Sequence, residues 1–458
     1  MSAREIAAAV AAGHLTASEA VARSLAALEA CRPLNAVTTV HGARARMRAT
    51  EIDRARQAGR SPGPLAGVPF AVKNLFDVAG EVTRAGSRST EGDTPPARDA
   101  FAVRQLEAAG AILIASASMD ELAYGFSGEN AHDGDTINPR GPGLSAGGSS
   151  SGSAALVAAG AVPLALGTDT NGSVRVPAAL CGVAGLKPTY GRLSRAGVAP
   201  FVRSLDHVGV FAADAADLAL AYDAMQGRDP NDPAQAARAA EPVGTPGGQV
   251  AAARLGGYFS APLHEDVHMA VEDACAALGA AGEVTLERAE AARAAAFVIT
   301  TAEGGQQHLS GLRDHPARFG PLVRDRLRAG ALVPAAWTGQ AQKLRRLICA
   351  DLAALHRSAE VLVAPATPCP AFPLGTAEWE VAGVPLPIRL AIGQFTQALT
   401  LTGVPIAVVA RRGARSGLPV GVQLVGRPWQ EARVLAAAQT LETAGFSLAP
   451  ASWEAADV

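Results

Sequence analysis

Three segments carry residues able to do nucleophilic chemistry. Lys73 closes an apolar run, GVPFAVKN (67–74). A Gly/Ser tract, SAGGSSSGSAALVAAG (145–160), leads into a helix-like stretch of small residues. In LGTDTNGSVRVPAALCGVAGLKPTYGRLS (166–194), Ser173 sits in a tight polar turn between an apolar run and a further helix. A serine hydroxyl is a poor nucleophile near neutral pH and needs a base within hydrogen-bond reach. No histidine lies within the last two segments; His132 and His207 only flank them. A lysine serves instead if burial lowers its pKa enough for it to be neutral when the proton must move. Each segment also has a plainer reading. Lys73 would be a solvated charge at a strand end, and the Gly/Ser tract a flexible turn or an anion-binding nest at a helix N-terminus.

Other chemistries compete for the same residues. Gly148-Ser149-Ser150-Ser151-Gly152 matches the G-x-S-x-G nucleophile elbow, which would make Ser150 the nucleophile, but no strand of the right kind leads into it. His264-Glu265-Asp266-Val267-His268 is a literal H-E-x-x-H zinc signature, although a solvated, acidic first helical turn accounts for it equally. Tyr124 in MDELAYG and Arg389 in LPIRLAIGQFTQ are candidate substrate contacts. For Arg389 the reason is the planar guanidinium fork, which pairs bidentately with a carboxylate. The plainer alternatives are core packing for Tyr124, a surface ion pair for Arg389 and a structural role for His207.

The elements that must position these residues follow from periodicity. Alanine-rich faces predict helices over roughly 2–12, 17–30 and 42–58, the second entered at Thr16 and Ser18. AFAVRQLEAAG reads as a helix ending at Gly110, AILIASAS as a buried strand, SGSAALVAAG as a helix and VPLALGTDT as the next strand. The alternation returns in EVLVAPA, PIAVVA, PVGVQLVG and the helix WQEARVLAAAQTLETAG. It argues for an α/β fold on a large, mostly parallel or mixed sheet. The Pro/Gly/Ala-rich stretch 228–249 reads as a surface loop, because the same pattern resumes after it.

Composition narrows the classes further. Of 458 residues, 49% are apolar and 18% charged, enough to bury a sizeable core, while aromatics are only 4%. A formal net charge of −2 leaves no electrostatic footprint for nucleic acid or an anionic membrane. Cys31, Cys181, Cys275, Cys349 and Cys369 are odd in number and scattered, with no C-x-x-C pair, so neither a disulfide framework nor a zinc knuckle is indicated. The N-terminus lacks a signal-peptide pattern and no apolar run is long enough to span a bilayer, so a soluble cytoplasmic protein is expected.

In this order and spacing the segments resemble the amidase signature family. GGSSSGS stands for the family's GGSSGGS, and GTDTNGSVRVPAALCGVAGLKPT for its GTD-x-x-GSIR-x-PA-x-x-CG-x-x-GLKPT block. MDELAYG, SLDHVG and GLPVGVQLVGRPWQE extend the resemblance over about residues 60–440. It implies a single large α/β domain over 1–458, a mixed twisted sheet with helices on both faces. Within it, 1–60 would be N-terminal helices, 61–225 the signature core, 226–250 a surface loop and 251–458 the second half. It also implies hydrolysis of a C–N amide bond through an acyl-enzyme on Ser173. Ser149, joined to Gly148 by a cis peptide bond, would accept the proton of Ser173, and Lys73 that of Ser149. The N–H groups of Thr170, Asn171, Gly172 and Ser173 would form the oxyanion hole, and neither a metal nor an organic cofactor is implied. Asp169 and Arg175 read as an ion pair bracing the loop. Ser151 stands where the family has glycine, which puts the loop geometry in doubt.

Within the family, MDELAYGFSGENAH, SLDHVG, RDRLRAGALVPAAW, VLVAPATPCP and IRLAIGQFTQ resemble the branch that hydrolyses 1-carboxybiuret in cyanuric acid breakdown. That likeness implies a small anionic ureide as substrate, with oxalurate as a related possibility. It further implies an oligomer and a small helical partner similar to the C subunit of a tRNA amidotransferase. The glutamine-hydrolysing A subunit of that amidotransferase shares Lys73, Ser149 and Ser173, but IRLAIGQFTQ does not resemble its equivalent region. A non-catalytic scaffold would have no need of the intact set.

Overall fold

Three helices open the chain, and local capping explains two of their starts. In α1 (Ala3–Ala12) and α2 (Ala17–Ala30), Ser2 with Glu5 and Thr16 with Glu19 form capping boxes. Remaining first-turn N–H groups are met by carboxylates from elsewhere. Asp217 accepts from the N–H of Ala3 at 2.6 Å, and Asp53, on α3 (Gly42–Gln57), accepts from that of Ala17 at 2.7 Å. The helices thus come pinned to the body of the protein. This is the computed structural model, which describes residues 1–451; residues 452–458, the end of the expected second half, lie outside them.

Eleven strands among the described residues form one mixed sheet. In chain order they are β1 (Val37–Val40), β2 (Pro69–Lys73), β3 (Ile112–Ala117), β4 (Leu164–Asp169), β5 (Ala184–Lys187), β6 (His207–Ala212), β7 (Ala252–Leu255), β8 (Glu283–Val284) and β9 (Val361–Pro365). A separate hairpin, β10 (Glu378–Val381) with β11 (Val384–Pro387), comes next, and β12 (Ile406–Arg412) and β13 (Pro419–Val425) complete the sheet. Its spatial order is β1-β3-β2-β4-β6-β5-β12-β13-β9-β7-β8. β2 runs parallel to both β3 and β4, whereas the centre from β4 through β9 is antiparallel. Strands from either side of 226–250 meet where β5 pairs with β12. No helix or strand is formed between Met225 and Ala252. That segment is nonetheless tied down, since Asp229 accepts from Ser194 Oγ at 2.7 Å and Asp232 pairs with Arg195.

Helices cover the sheet and bring small residues to it. α4 (Phe101–Ala108) and α5 (Ser151–Ala158) precede β3 and β4, and α6 (Arg175–Cys181) follows the turn after β4. Every residue of α5 and α6 is buried. α7 (Ala215–Met225) and α8 (Glu265–Ala277) pack on β6 and on β9 and β13. A helical group, α9 (Ala289–Gln307), α10 (Leu309–Asp314), α11 (Pro321–Ala331) and α12 (Ala335–Leu355), stands beside the site described below. α13 (Ile388–Ala391), α14 (Gln394–Thr400) and the late α15 (Glu431–Thr443) complete the set.

The glycines of this layer set how close α6 can lie. A Cβ on Gly421 of β13 would fall 2.5 Å from Ala179 Cβ and 2.7 Å from its Cα, and one on Gly185 of β5 would fall 2.9 Å from Ala178 Cβ. Such distances require backbone movement. Gly421→Ala is therefore expected to lift α6 and cost about 1–3 kcal/mol as an overpacked core. The urea unfolding midpoint reads this; an unchanged midpoint would show that α6 does not depend on that contact.

Candidate active site

β2 ends with Lys73 in the interior, between β3 and β4, and the whole strand is buried. The ammonium nitrogen makes two hydrogen bonds, both to hydroxyls: Ser149 Oγ at 2.7 Å and Thr168 Oγ1 at 2.9 Å. No carboxylate forms an ion pair with it among the described residues. Burial pushes its pKa down to about 7, opposed by the negative charges of Asp120, Asp169 and Asp206 in that order. A lysine so placed is neutral for a large share of the time near neutral pH.

The Gly148–Ser149 peptide bond is cis. The neighbouring serines are each engaged elsewhere. Ser150 Oγ bonds both the carbonyl and the N–H of Thr168 and is fully buried, so the nucleophile-elbow reading of Ser150 fails for want of access. Ser151 Oγ pairs with Thr136 Oγ1 at 3.0 Å, away from Ser149, which resolves the doubt about the loop. Gly152 has no room for a side chain: a Cβ would lie 2.4 Å from the Ala36 carbonyl oxygen.

Ser173 lies in the turn between β4 and α6. Gly172 has φ 140°, and a Cβ there would come within 2.1 Å of Thr396 Oγ1, so only glycine fits. The N–H groups of Asn171, Gly172 and Ser173 find no acceptor among the described residues. Those of Val174 and Arg175 bond Asp169 Oδ2. Asp169 and Arg175 are both fully buried and paired through two bonds at 2.9 and 3.0 Å, and the guanidinium also reaches the Thr396 carbonyl and Thr400 Oγ1. Arg175 holds the Asp169 carboxyl well below the usual range despite its burial. Thr170 Oγ1 donates to Asp206 at 2.7 Å, and Asn171 Nδ2 to Thr300 Oγ1 at 2.8 Å.

The structure brings Lys73 and Ser149 into direct contact, but no hydrogen bond joins Ser149 to Ser173. Links of this kind are often long without substrate and tighten when it binds. His207 cannot stand in for the lysine. Its Nδ1 faces the carbonyls of Leu205 and Asp169, and burial pushes its pKa well down.

Ser173 opens into a narrow pit of about 20 Å³, walled by Thr170, Asn171, Phe201, Thr300 and Gln397. Tyr124, Phe126, Phe297, Arg326 and Gln397 line both this pit and a wider cavity of about 390 Å³ beyond it. Tyr124 stacks on Phe201 with centroids 4.7 Å apart and lies under Arg326, whose guanidinium is 3.7 Å from the ring centre. Its buried hydroxyl has no hydrogen-bond partner among the described residues. Arg389 sits at the cavity rim, bound to Glu129 at 2.9 Å, with its side chain 43% exposed.

Sequence reasoning missed several members of this site: Asp120, Thr168, Arg293, Arg326 and Gln397. Thr168 lies one residue from Asp169 on a strand buried on both faces, where alternation gives no cue. Asp120 belongs to MDELAYG, a segment already singled out. Arg326 lies in RDRLRAGALVPAAW, a segment likewise singled out for its resemblance, but nothing in the run of charges marks this arginine as the one that enters a site. The H-E-x-x-H stretch is accounted for structurally: His264 caps α8, and Asp266 accepts from the N–H groups of Arg415 and Ser416. Among the described residues no group of three or more His, Cys, Asp or Glu side chains converges as a metal site would require.

Comparison with known proteins gives the family. The family profile described as Amidase matches residues 19–435, and the chain belongs to the amidase signature family, whose members hydrolyse amide C–N bonds. It is 47% identical over 450 residues to AtzE, a 1-carboxybiuret hydrolase subunit of Pseudomonas sp. (strain ADP), covering 97% of this chain and 98% of that one. It is 38% identical to the A subunit of the glutamyl-tRNA(Gln) amidotransferase of Chloroflexus aurantiacus, covering 93% of each. A solved structure of an s-triazine catabolic enzyme, described as an unexpected vestigial protein complex, superposes with a TM-score of 0.95 at 45% identity, over 98% of this chain and 99% of the other. The A subunit of the Thermotoga maritima glutamyl-tRNA(Gln) amidotransferase gives 0.81 at 28% identity, over 99% and 98%.

The buried Asp169–Arg175 pair generates a clear expectation. Arg175→Gln leaves a desolvated carboxylate without its cation, which costs about 3–5 kcal/mol. Urea denaturation should show a loss of that size, whereas a loss below about 1 kcal/mol would mean that the pair behaves like an exposed one.

Proposed function

We propose that the chain hydrolyses a small anionic ureide, with 1-carboxybiuret as the best-matched substrate, through an acyl-enzyme on Ser173. Water converts the terminal carbamoyl group to a carboxylate, giving urea-1,3-dicarboxylate and ammonia. Ser173 Oγ attacks the carbamoyl carbon as its proton passes to Ser149 and that of Ser149 to Lys73. The oxyanion is met by the backbone N–H groups of Thr170, Asn171, Gly172 and Ser173, for which no acceptor is present among the described residues; removing one such donor typically costs about 2.7–4 kcal/mol. The relay then returns the proton to the leaving nitrogen, so that ammonia and not an amide anion departs. Water, activated by the same relay, releases the acyl group.

The observation that carries the anionic specificity is the guanidinium of Arg326, which shares the pit with the nucleophile. Arg293, Arg326 and Arg389 line the cavity, and of these only Arg326 also lines the pit at Ser173. Arg326 spends one nitrogen on the Tyr124 carbonyl at 2.9 Å and offers the rest of its fork to a ligand. We assign the substrate carboxylate to Arg326, with Tyr124 holding the guanidinium from below and Arg389 at the entrance. The 47% identity to a 1-carboxybiuret hydrolase subunit supports the same substrate. The 38% identity to amidotransferase A subunits keeps glutamine hydrolysis as the second reading.

We also take residues 1–458 as one domain working in the cytoplasm, as an oligomer with a small helical partner. The description of the similar solved structure as a complex supports the partner.

Ammonia release from carboxybiuret, biuret, oxalurate, glutamine and an aryl amide tests the reading. Turnover of an anionic ureide, lost in Ser173→Ala, is the expected result. Turnover of glutamine alone would transfer the protein to the second reading, and activity surviving Ser173→Ala would overturn the mechanism. Arg326→Gln is expected to raise KM for the anionic ureide by about 10–100-fold, as loss of a charged hydrogen bond of ~1.5–3 kcal/mol implies. It should leave turnover of the uncharged aryl amide nearly unchanged, and an equal loss on both substrates would remove Arg326 from carboxylate recognition.

A further inference from the structure

The proton relay has a charged neighbour that the steps above leave idle. Asp120 is 3% exposed, and its carboxylate accepts two backbone N–H groups, from Ser127 at 3.2 Å and Gly128 at 3.0 Å. It has no ion-pair partner among the described residues. The backbone is cut away around it. A Cβ on Gly148 would lie 2.3 Å from Oδ1, and one on Gly125 would lie 2.1 Å from Oδ2. The carboxylate therefore lies against the peptide that carries Ser149, while the Asp120 N–H donates to the Ser149 carbonyl at 3.2 Å.

The acids facing Lys73 differ in how far they are committed. Asp169 is neutralised by Arg175, and Asp206 is occupied by Thr170 Oγ1 and the N–H groups of Phe201 and Val202. The remaining contacts of Lys73 are the hydroxyls of Ser149 and Thr168. Asp120 and Asp206 both lack an ion-pair partner among the described residues; of the two, Asp120 exerts the larger favourable charge effect on the lysine and is the one that lies against the peptide carrying Ser149.

We propose that Asp120 is a positioning residue for the base: its anion is the counter-charge for the ammonium formed when Lys73 takes the relay proton, and its N–H fixes the Ser149 peptide. The inference rests on the Ser–Ser–Lys mechanism proposed above. As Ser173 Oγ bonds the substrate carbon, one proton enters Lys73 and turns an uncharged amine into a cation in the buried interior. An isolated buried cation is costly, and a carboxylate beside it offsets that cost; burial pushes the Asp120 carboxyl up to about 7, and the charge of Lys73 with the N–H groups of Ser127 and Gly128 favours its ionised form. The same division of labour holds in a Ser–His–Asp triad, where the carboxylate supports the imidazolium and stays ionised. The proton later leaves Lys73 for the departing nitrogen, so Asp120 ends each cycle as it began.

Two opposite effects should follow from removing the charge. Lys73 loses its main support for the protonated form, so it stays neutral to lower pH. It also becomes a weaker base, so the plateau rate falls. The readout is the pH dependence of Ser173 labelling by an uncharged fluorophosphonate, which needs the base but not the cationic pocket. Wild type should show an acid limb near pH 7. In Asp120→Asn the limb should move down by about 1 unit or more, with a plateau about 10–100-fold lower. A residue that merely braces the loop would lower the rate and leave the limb in place.

Asp120→Ser gives the same measurement if the asparagine amide, facing two N–H donors, prevents folding. An unmoved limb in either folded variant overturns the proposal. In wild-type protein carrying ¹³C-carboxyl aspartate, infrared difference spectra against Asp120→Asn or Asp120→Ser should show an ionised Asp120 above the limb. A protonated Asp120 carboxyl there would equally overturn it. Should Lys73→Met keep wild-type labelling, the parent mechanism fails; if Lys73→Met is inert and the limb does not move in the Asp120 variants, only the role of Asp120 falls.

Discussion

The constraint on which the site depends is the burial of Lys73, whose hydrogen-bond partners among the described residues are both hydroxyls. A lysine in water holds its proton up to about pH 10 and cannot serve as a base at neutral pH. The protein moves that equilibrium by excluding water from the end of β2. This works only if the nearby carboxylates do not capture the ammonium in an ion pair. Asp169 is the obvious threat, since it ends the strand next to β2. Arg175 removes it, binding both Asp169 oxygens from one turn further along the chain. The buried pair is thus more than a brace, because it keeps a negative charge from locking the base in its protonated state.

Water exclusion in turn explains the abundance of small side chains. α5 and α6 are buried over their whole length, which requires that they lie close to the sheet on every side. Alanine and glycine permit this, as Ala178 and Ala179 against Gly185 and Gly421 show. The same economy recurs where backbone itself must approach a functional group. Gly172 leaves room for Thr396, and Gly125 and Gly148 leave room for Asp120. The low aromatic content has a matching cause: the few large rings near the site, Tyr124, Phe201 and Phe297, are kept for the cavity wall.

What could be read from sequence divides along the same physical line. Segments with local signals were legible: the capped helices α1 and α2, the apolar run ending at Lys73, and the strand–turn–helix around Ser173. β1, β7 and β8 gave no such cue, being short strands at or near the sheet edges whose partners lie far away in the chain. The pairing order was equally hidden. The central antiparallel run joins β5 to β12 across nearly half the sequence, and no local pattern encodes that. In the site, the residues with an assigned chemical role were found, while Asp120 and Thr168, inside quoted motifs, and Arg293, Arg326 and Gln397, placed by packing, were not. Arg326 reaches the pit because α11 packs on α9, so its role exists only in three dimensions.

A chain of net charge −2 can still present cations to a ligand: Arg293, Arg326 and Arg389 line the cavity, together with Asp120, Glu121, Glu129 and Asp135. Global charge acts through solvent and is screened over about 8 Å at physiological salt, whereas a guanidinium in a recessed pit meets its ligand at contact distance. The arginines beside Ser173 differ in how free they are. Arg389 is half-exposed and held by Glu129, so a ligand must displace a carboxylate to use it. Arg293 is tied to Gln397 and the Leu390 carbonyl. Arg326 gives one nitrogen to a neutral carbonyl and rests on an aromatic face, a support that fixes its direction without neutralising its charge. A guanidinium kept in place by an aromatic face, with no carboxylate partner among the described residues, gains most from an incoming anion, and Arg326 is also the arginine that shares a pit with Ser173.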